Sequence, residues 1–215
     1  MTEVASCPVS AVLLDVDGVL VDSTGVHRRV WRSWARSRGL DVELVWRATF
    51  GRRPQDTVAA TAPNLDLEAE LRALDGLLRS REGEITAAPG ATSLLRKLHF
   101  TPWAIVTSGG RDRTVSRFHR LGLPLPSVLV CGEDVEHGKP HPEGYLKASQ
   151  ELRVPAGECV VVEDSPAGIA AAHAAGCRVL AITTTHPPAA CAEADGILAD
   201  LHEVTAWMLA VLGLQ

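Results

Sequence analysis

Cysteine is scarce and unpatterned in this chain. Cys7, Cys131, Cys159, Cys177 and Cys191 are widely scattered, odd in number, and form no C-x-x-C pair. That excludes a disulfide framework as the organising feature, and reduced thiols in a cytoplasmic protein are expected. Basic charge is not in excess. The net charge of −5 gives no reason to expect nucleic acid or an anionic membrane surface as a partner. No apolar run reaches the roughly 18 to 20 residues of a membrane span. Met1 to Pro8 lacks a basic segment followed by a long apolar one, so no secretory signal is expected. No internal repeat or low-complexity segment is evident.

What is present is a core-forming chain. With 215 residues and 46% apolar side chains, it can build one sizeable domain with a small insertion. Val9–Leu14, Trp103–Val106 and Cys159–Val162 are short apolar runs without polar alternation, as in a parallel sheet covered on both faces. Val128–Val130, Val179–Ile182 and Gly196–Leu198 read as further strands. Helical patterns fall at about 90–98, 112–121, 142–152, 166–175 and 201–212. The alternation predicts an α/β, doubly wound parallel sheet. One stretch interrupts it. From Ser23 to Ala87 only helical spacing is found, with Val26, Val30, Trp31 and Trp34 in one set and Leu67, Leu71, Leu74 and Leu78 in another. The expected division is a core domain of residues 1–22 and 88–215 and a helical cap of 23–87. Asp22 and Ser23 on one side, and Ala87 to Pro89 on the other, are the expected hinges.

The chemistry begins at Asp15-Val16-Asp17-Gly18, where the first strand ends. Two carboxylates two residues apart on an extended strand point the same way. They repel unless a cation lies between them or one is protonated. The second strand ends in Thr107-Ser108-Gly109-Gly110, and a later one in Glu163-Asp164-Ser165. In a parallel sheet these ends share one edge, where ligands bind. Oxygen-only ligands there suit Mg²⁺. Thr107, Ser108 and Gly109 offer hydroxyl and backbone N–H donors for phosphate oxygens, and Lys139, in Gly138-Lys139-Pro140, offers a fixed cation.

Simpler motifs fail on spacing. Glycine directly after Asp17 rules out an EF-hand loop. Gly132 to Lys139 has five residues between its glycines and proline after the lysine, unlike a nucleotide-binding P-loop. Thr107-Ser108-Gly109-Gly110 lacks the dinucleotide fingerprint.

Taken in order, Asp15 to Ser23, Val106 to Gly109, Gly138 to Pro142 and Glu163 to Ile169 resemble haloacid dehalogenase (HAD) superfamily phosphatases with a helical cap after the first strand. Within that superfamily, Thr107-Ser108-Gly109 and Lys139 to Lys147 are most similar to glycerol-3-phosphatases and 2-deoxyglucose-6-phosphate or related sugar phosphatases, with β-phosphoglucomutase more distant. The resemblance implies that Asp15 is the nucleophile and Asp17 the general acid and base, and that Thr107, Ser108, Gly109 and Lys139 bind phosphate. It implies Mg²⁺ held by Asp15, the Asp17 region, Asp164 and, directly or through water, Glu163. In the cap, Arg53 follows Gly51-Arg52 at a position where relatives place a specificity residue, and His27 lies where the mutase also has a histidine. Both are candidate substrate contacts. Arg28, Arg29, Arg32, Arg36 and Arg38 read as a solvated face, and Trp31, Trp34 and Trp46 as cap core. The expected activity is Mg²⁺-dependent hydrolysis of a small phosphorylated sugar or polyol through an aspartyl-phosphate, by a monomer or dimer. A phosphosugar mutase and a non-catalytic phosphosugar-binding protein are the alternatives.

Overall fold

A computed structural model of the chain describes residues 8–212. The chain enters through β1 (Ala11–Leu14) and a short β2 (Val21–Asp22), then leaves for four helices: α1 (Thr24–Ser37), α2 (Val42–Thr49), α3 (Pro54–Thr61) and α4 (Leu67–Arg79). It returns through β3 (Thr86–Ala87), which pairs antiparallel with β2. Then follow α5 (Ala91–Lys97), β4 (Trp103–Val106), α6 (Arg111–Leu121), β5 (Val128–Val130), α7 (Glu143–Leu152), β6 (Cys159–Glu163), α8 (Pro166–Ala174), β7 (Arg178–Ile182), β8 (Gly196–Leu198) and α9 (Leu201–Leu212). The expected strands and helices are present, with β1 starting at Ala11 because its ladder with β6 begins there. The insert is not wholly helical. Its last residues, Thr86 and Ala87, form the two-stranded ribbon that joins it to the core.

Six strands form one parallel sheet in the order β5-β4-β1-β6-β7-β8. The chain winds outward from β1 to β4 and β5, then crosses back to β6. The winding direction therefore reverses around β1, which opens a crevice at the carboxyl ends of β4, β1 and β6. Alternation along each strand feeds two cores. Val12, Leu14, Ile105 and Val162 pack on one face with Leu94 of α5, Phe118 of α6 and Val204 of α9. Leu13, Val106 and Val161 pack on the other with Tyr145 and Ala148 of α7 and Ile169 of α8. Burial on both faces is why these strands carry no polar alternation. Among the described residues, no helix is long and apolar enough to cross a membrane.

The apolar residues of the insert continue the cluster on the first face of the sheet. Val26, Val30, Trp31 and Trp34 of α1 meet Val45, Val58, Leu74 and Leu78 from the other three helices, and the Trp31 and Trp34 rings stack edge to face at 5.5 Å. Leu67 departs from the expected apolar set: it opens α4 and is exposed. Leu71 faces the cleft between cap and core.

Two sides of the cap are tied to the core. On one, Ser108 Oγ donates to the Gly51 carbonyl at 2.7 Å, and the Phe50 ring meets His186 at 4.3 Å. On the other, Arg113 of α6 pairs with Asp75 of α4, and Arg117 and Arg120 reach the Glu82 to Ile85 turn.

Inside the cap, Glu70 is buried and accepts from Trp34 Nε1 at 2.7 Å and from Arg38 Nε at 3.0 Å. The Arg38 hydrogen bond, helped by Trp34 and opposed by burial, holds the Glu70 carboxyl below its ordinary value. A depressed carboxylate stabilises the fold above its unfolded pKa and loses that contribution as pH falls through the folded value. Glu70→Ala leaves the indole N–H of Trp34 buried without its acceptor, at a cost of about 1–3 kcal/mol. Urea titrations at neutral pH should show that loss. The gap between wild type and variant should narrow as pH drops below about 4; a gap that stays constant or widens there would remove Glu70 from the account.

Candidate active site

The crevice over β1, β4 and β6 collects the residues the sequence singles out. Strand alternation turns Val16 into the core and leaves Asp15 and Asp17 facing the cleft. The turn that follows requires glycine. Gly18 has φ +85°, and a Cβ there would lie 2.0 Å from Asp164 Oδ2. This close approach brings Asp164, from the end of β6, against the first strand.

Lys139 occupies the centre. Its Nζ donates to Asp15 Oδ1 at 2.7 Å, to Glu163 Oε1 at 2.6 Å and to the Val106 carbonyl at 3.2 Å. Burial disfavours its charge, but Asp15 and Glu163 outweigh burial and raise its pKa well above the ordinary value. It is an ammonium at any physiological pH.

Glu163 is fully buried, and both of its oxygens are engaged. Oε1 accepts from Lys139 and from the Tyr145 hydroxyl; Oε2 accepts from the backbone N–H groups of Asp164 and Ser165 and from Ser165 Oγ. Helix α8 passes so close that a Cβ on Gly168 would fall 1.8 Å from Glu163 Oε1. A carboxylate with this many donors is held to position Lys139. Glu163 is expected to reach a metal directly or through water, and these donors already engage both of its oxygens.

The paired aspartates differ in environment. Burial pushes Asp15 up to about 7, against the pull of Lys139 and with that of Glu163 and Asp17. Asp17 goes the other way. Burial raises it, but His27, Arg117 and Ser23 together bring it to about 2. Arg117 Nη1 donates to Asp17 Oδ1 at 2.9 Å, and His27 Nε2 lies 3.7 Å from the same oxygen. His27 is itself lowered by burial and by Arg117 and Arg113, with Asp17 opposing. Arg117 is therefore the charged partner of Asp17 at neutral pH.

Thr107 Oγ1 accepts from the Gly109 N–H at 3.1 Å, and a Cβ on Gly109 would come within 4.0 Å of Asp17 Oδ2. The phosphate-binding candidates on this loop thus stand beside the carboxylate pair. The Ser108 hydroxyl is committed to the cap, which leaves its backbone N–H as the group it could offer.

Asp15, Asp164 and Glu163 place donor atoms within 4.8 Å of one another. Three buried carboxyl groups share one buried ammonium there, so ionising all three leaves two negative charges without a counter-charge among the described residues. Burial, then Glu163 and Asp15, push the Asp164 carboxyl well above its ordinary value. Hard oxygen donors with that charge deficit fit a divalent cation such as Mg²⁺. With Glu163 occupied, Asp15 and Asp164 are the side chains that fit it.

The cap residues divide. His27 is brought to Asp17, but Arg53 is not brought into the main cleft. Its guanidinium pairs with Asp56 and donates to the carbonyls of Gly132, Val135 and Glu136 at 3.3, 2.9 and 3.1 Å. It clamps cap to core, while its neighbour Arg52 lines the cleft. That cleft, about 1060 Å³, also has walls from Trp31, Trp46, Phe50 and Gln55. Sequence reasoning missed Arg117, Tyr145 and Thr185, which donates to Asp164 Oδ2 at 2.6 Å. Arg117 could have been noticed: it sits three residues after Thr114 on α6, and both are buried.

The chain is similar to known proteins along most of its length. Hexitol phosphatase A of Escherichia coli strain K12 is 39% identical over 198 residues, which cover 90% of this chain and 92% of that protein. Glycerol-1-phosphate phosphohydrolase 2 of Saccharomyces cerevisiae is 37% identical over 196 residues, covering 86% of this chain and 78% of that protein. The crystal structure of a HAD family hydrolase from Deinococcus radiodurans R1, with bound phosphate and sodium, is similar with a TM-score of 0.75 and 30% identity, covering 98% of this chain and 99% of that one. Residues 9–176, most of the sequence, match the haloacid dehalogenase-like hydrolases, and the chain belongs to that family.

Proposed function

We propose that this chain is a Mg²⁺-dependent phosphatase that hydrolyses small phosphorylated sugars or polyols through an aspartyl-phosphate on Asp15. The observation that carries this reading is the convergence of Asp15, Asp17, Thr107, Lys139 and Asp164 at one sheet edge beneath a cap, with the Lys139 ammonium 2.7 Å from Asp15. The relatives named as phosphatases of hexitol and glycerol phosphates support the substrate class.

Asp15 attacks phosphorus through a carboxylate oxygen, and the bond from phosphorus to the leaving alkoxide breaks. Asp17 gives its proton to that alkoxide. The pairing with Arg117 disfavours protonated Asp17, but a phosphate dianion beside the carboxylate opposes Arg117 and raises its proton affinity. Asp17, now ionised, takes a proton from water as the water oxygen attacks phosphorus. The Asp15–phosphorus bond breaks, phosphate leaves, and both carboxylates return to their starting states. Lys139 and the Thr107 loop offset charge on the phosphoryl oxygens throughout. Asp15 and Asp164 would hold Mg²⁺, which when bound would supply positive charge that favours ionised Asp15 and offsets charge on the phosphoryl group. The cap excludes water and shapes the space for the alcohol portion of the substrate.

A phosphate-release screen with Mg²⁺ over glycerol phosphates, hexitol phosphates, hexose 6-phosphates and β-glucose 1-phosphate tests the class. Turnover is expected on polyol or sugar phosphates, with free phosphate released without a bisphosphate activator. Asp15→Asn should lower kcat by several orders of magnitude on every substrate, as loss of a nucleophile does; near wild-type turnover by that variant would remove Asp15 from the role. Asp17→Asn should cost about 10²- to 10⁴-fold, the usual share of general acid–base catalysis, and most on substrates with poor leaving groups.

Arg53→Ala tests the clamp. Because the guanidinium seats the cap, kcat/KM should fall by one common factor across the panel, with a lower thermal midpoint. A change selective for one substrate would place Arg53 against the substrate instead.

A further inference from the structure

The loop that carries Lys139 presents a different chemistry on its outer side. His137 and His141 flank the Gly138-Lys139-Pro140 segment, and Glu143 opens α7 immediately after it. One donor atom from each of the three lies within 4.8 Å of the others. His137 Nδ1 is 3.3 Å from Glu143 Oε2, and His141 Nδ1 is 3.8 Å from the same oxygen. The two imidazole rings stand 4.7 Å apart at a tilt of 38°.

We propose that His137, His141 and Glu143 form a second metal site, for a borderline transition-metal ion of the Zn²⁺ class. Imidazole nitrogen suits Zn²⁺, Co²⁺, Ni²⁺ and Cu²⁺ and is a poor ligand for Mg²⁺, so the donor set separates this site from the all-oxygen cluster at Asp15 and Asp164. The spacing fits. In a tetrahedron with bonds of about 2.0–2.1 Å, neighbouring donors are roughly 3.3–3.4 Å apart. Of the three donor pairs, His137 with Glu143 is already at that distance, His141 with Glu143 needs a contraction of a few tenths of an ångström, and the two imidazole nitrogens, within 4.8 Å of each other, close by rotation of two exposed rings. Three protein donors leave the fourth position to water.

The carboxylate is pre-oriented. Glu143 Oε1 accepts the backbone N–H of Glu136 at 2.7 Å, and Oε2 accepts that of His137 at 2.9 Å. Such backing hydrogen bonds fix a ligating carboxylate in place. The His141 N–H also closes a turn onto the Gly138 carbonyl at 3.0 Å, which sets where the second ring leaves the loop. An ion there would brace residues 136–143 from outside while Lys139, on the same loop, holds Asp15 from inside.

The test is calorimetric titration of Zn²⁺ into the full chain in saturating Mg²⁺, which occupies the oxygen cluster. Wild type should bind one equivalent that is absent from His137→Ala/His141→Ala. Glu143→Gln keeps an acceptor for one of the two backbone N–H groups and should weaken Zn²⁺ by at least the roughly 10- to 100-fold that losing an outer partner costs a metal site. Without Zn²⁺ wild type and the double variant should melt alike, and with it wild type should gain more in thermal midpoint than either variant. Co²⁺ in place of Zn²⁺ should give visible ligand-field bands in wild type that the double variant lacks. The proposal is overturned if the double variant binds as many equivalents of Zn²⁺ as wild type, or if wild type binds none in the presence of Mg²⁺.

Discussion

One buried ammonium organises this molecule. Lys139 joins Asp15, from the end of β1, to Glu163, from β6, the fourth strand of the parallel sheet in chain order, across the point where the winding reverses. Each partner carries structural consequences. Glu163 stays ionised in full burial because it receives Lys139, Tyr145 and the backbone at the start of α8. Gly168 is needed because that helix lies against the carboxylate. A buried ion pair is costly unless its remaining lone pairs are satisfied, and here the satisfaction comes from four different elements. The arrangement therefore holds the cation at a fixed place on the core, independent of where the cap sits.

Around that cation, two carboxylates of one dipeptide spacing are given opposite environments. Asp15 is enclosed, shares Lys139 with Glu163, and is pushed toward neutrality. Asp17, two residues on, faces Arg117 and is pushed toward ionisation. Separated proton affinities within one pair allow separate chemical roles. On the proposed mechanism, a divalent cation at Asp15 and Asp164 and a phosphate dianion beside Asp17 would then decide which member attacks and which carries the proton.

Much of this was legible in the sequence, because parallel strands advertise themselves. Trp103–Val106, Val128–Val130 and Gly196–Leu198 could be bounded to the residue, the first two because largely buried apolar runs begin and end sharply and the edge strand Gly196–Leu198 because polar residues flank its short apolar run. The motifs at the strand ends share one crevice because the strands that carry them are parallel neighbours. What could not be read was direction in space. Arg53 and Arg52 are adjacent in the same loop, yet one guanidinium turns to core carbonyls and the other to the cleft. Glu163 and Asp164 are likewise adjacent, and strand alternation sends one into the sheet's interior and leaves the other at the crevice. Leu67 shared the helical spacing of its neighbours but fell at a helix start, where the apolar face has not begun.

Arg117 shows how these levels meet. It lies on α6, two turns beyond the Thr107 loop, and is buried with a carboxylate on each side. One is Asp17; the other is Glu82, held at 2.6 Å in the turn through which the cap returns to the core. A guanidinium shared by two carboxylates gives each less stabilisation than it would give one alone. The proton affinity of Asp17 is therefore tied to the position of the cap's return segment. If Glu82 withdraws as the cap swings outward, Arg117 is left to Asp17 alone and the acid is held more firmly in its ionised form; with the cap seated, part of that hold is diverted. The pairing of Arg117 with Glu82 thus couples the seating of the return segment to the proton affinity of Asp17, and on the proposed mechanism enclosure and readiness of the acid would follow from one pair of charges.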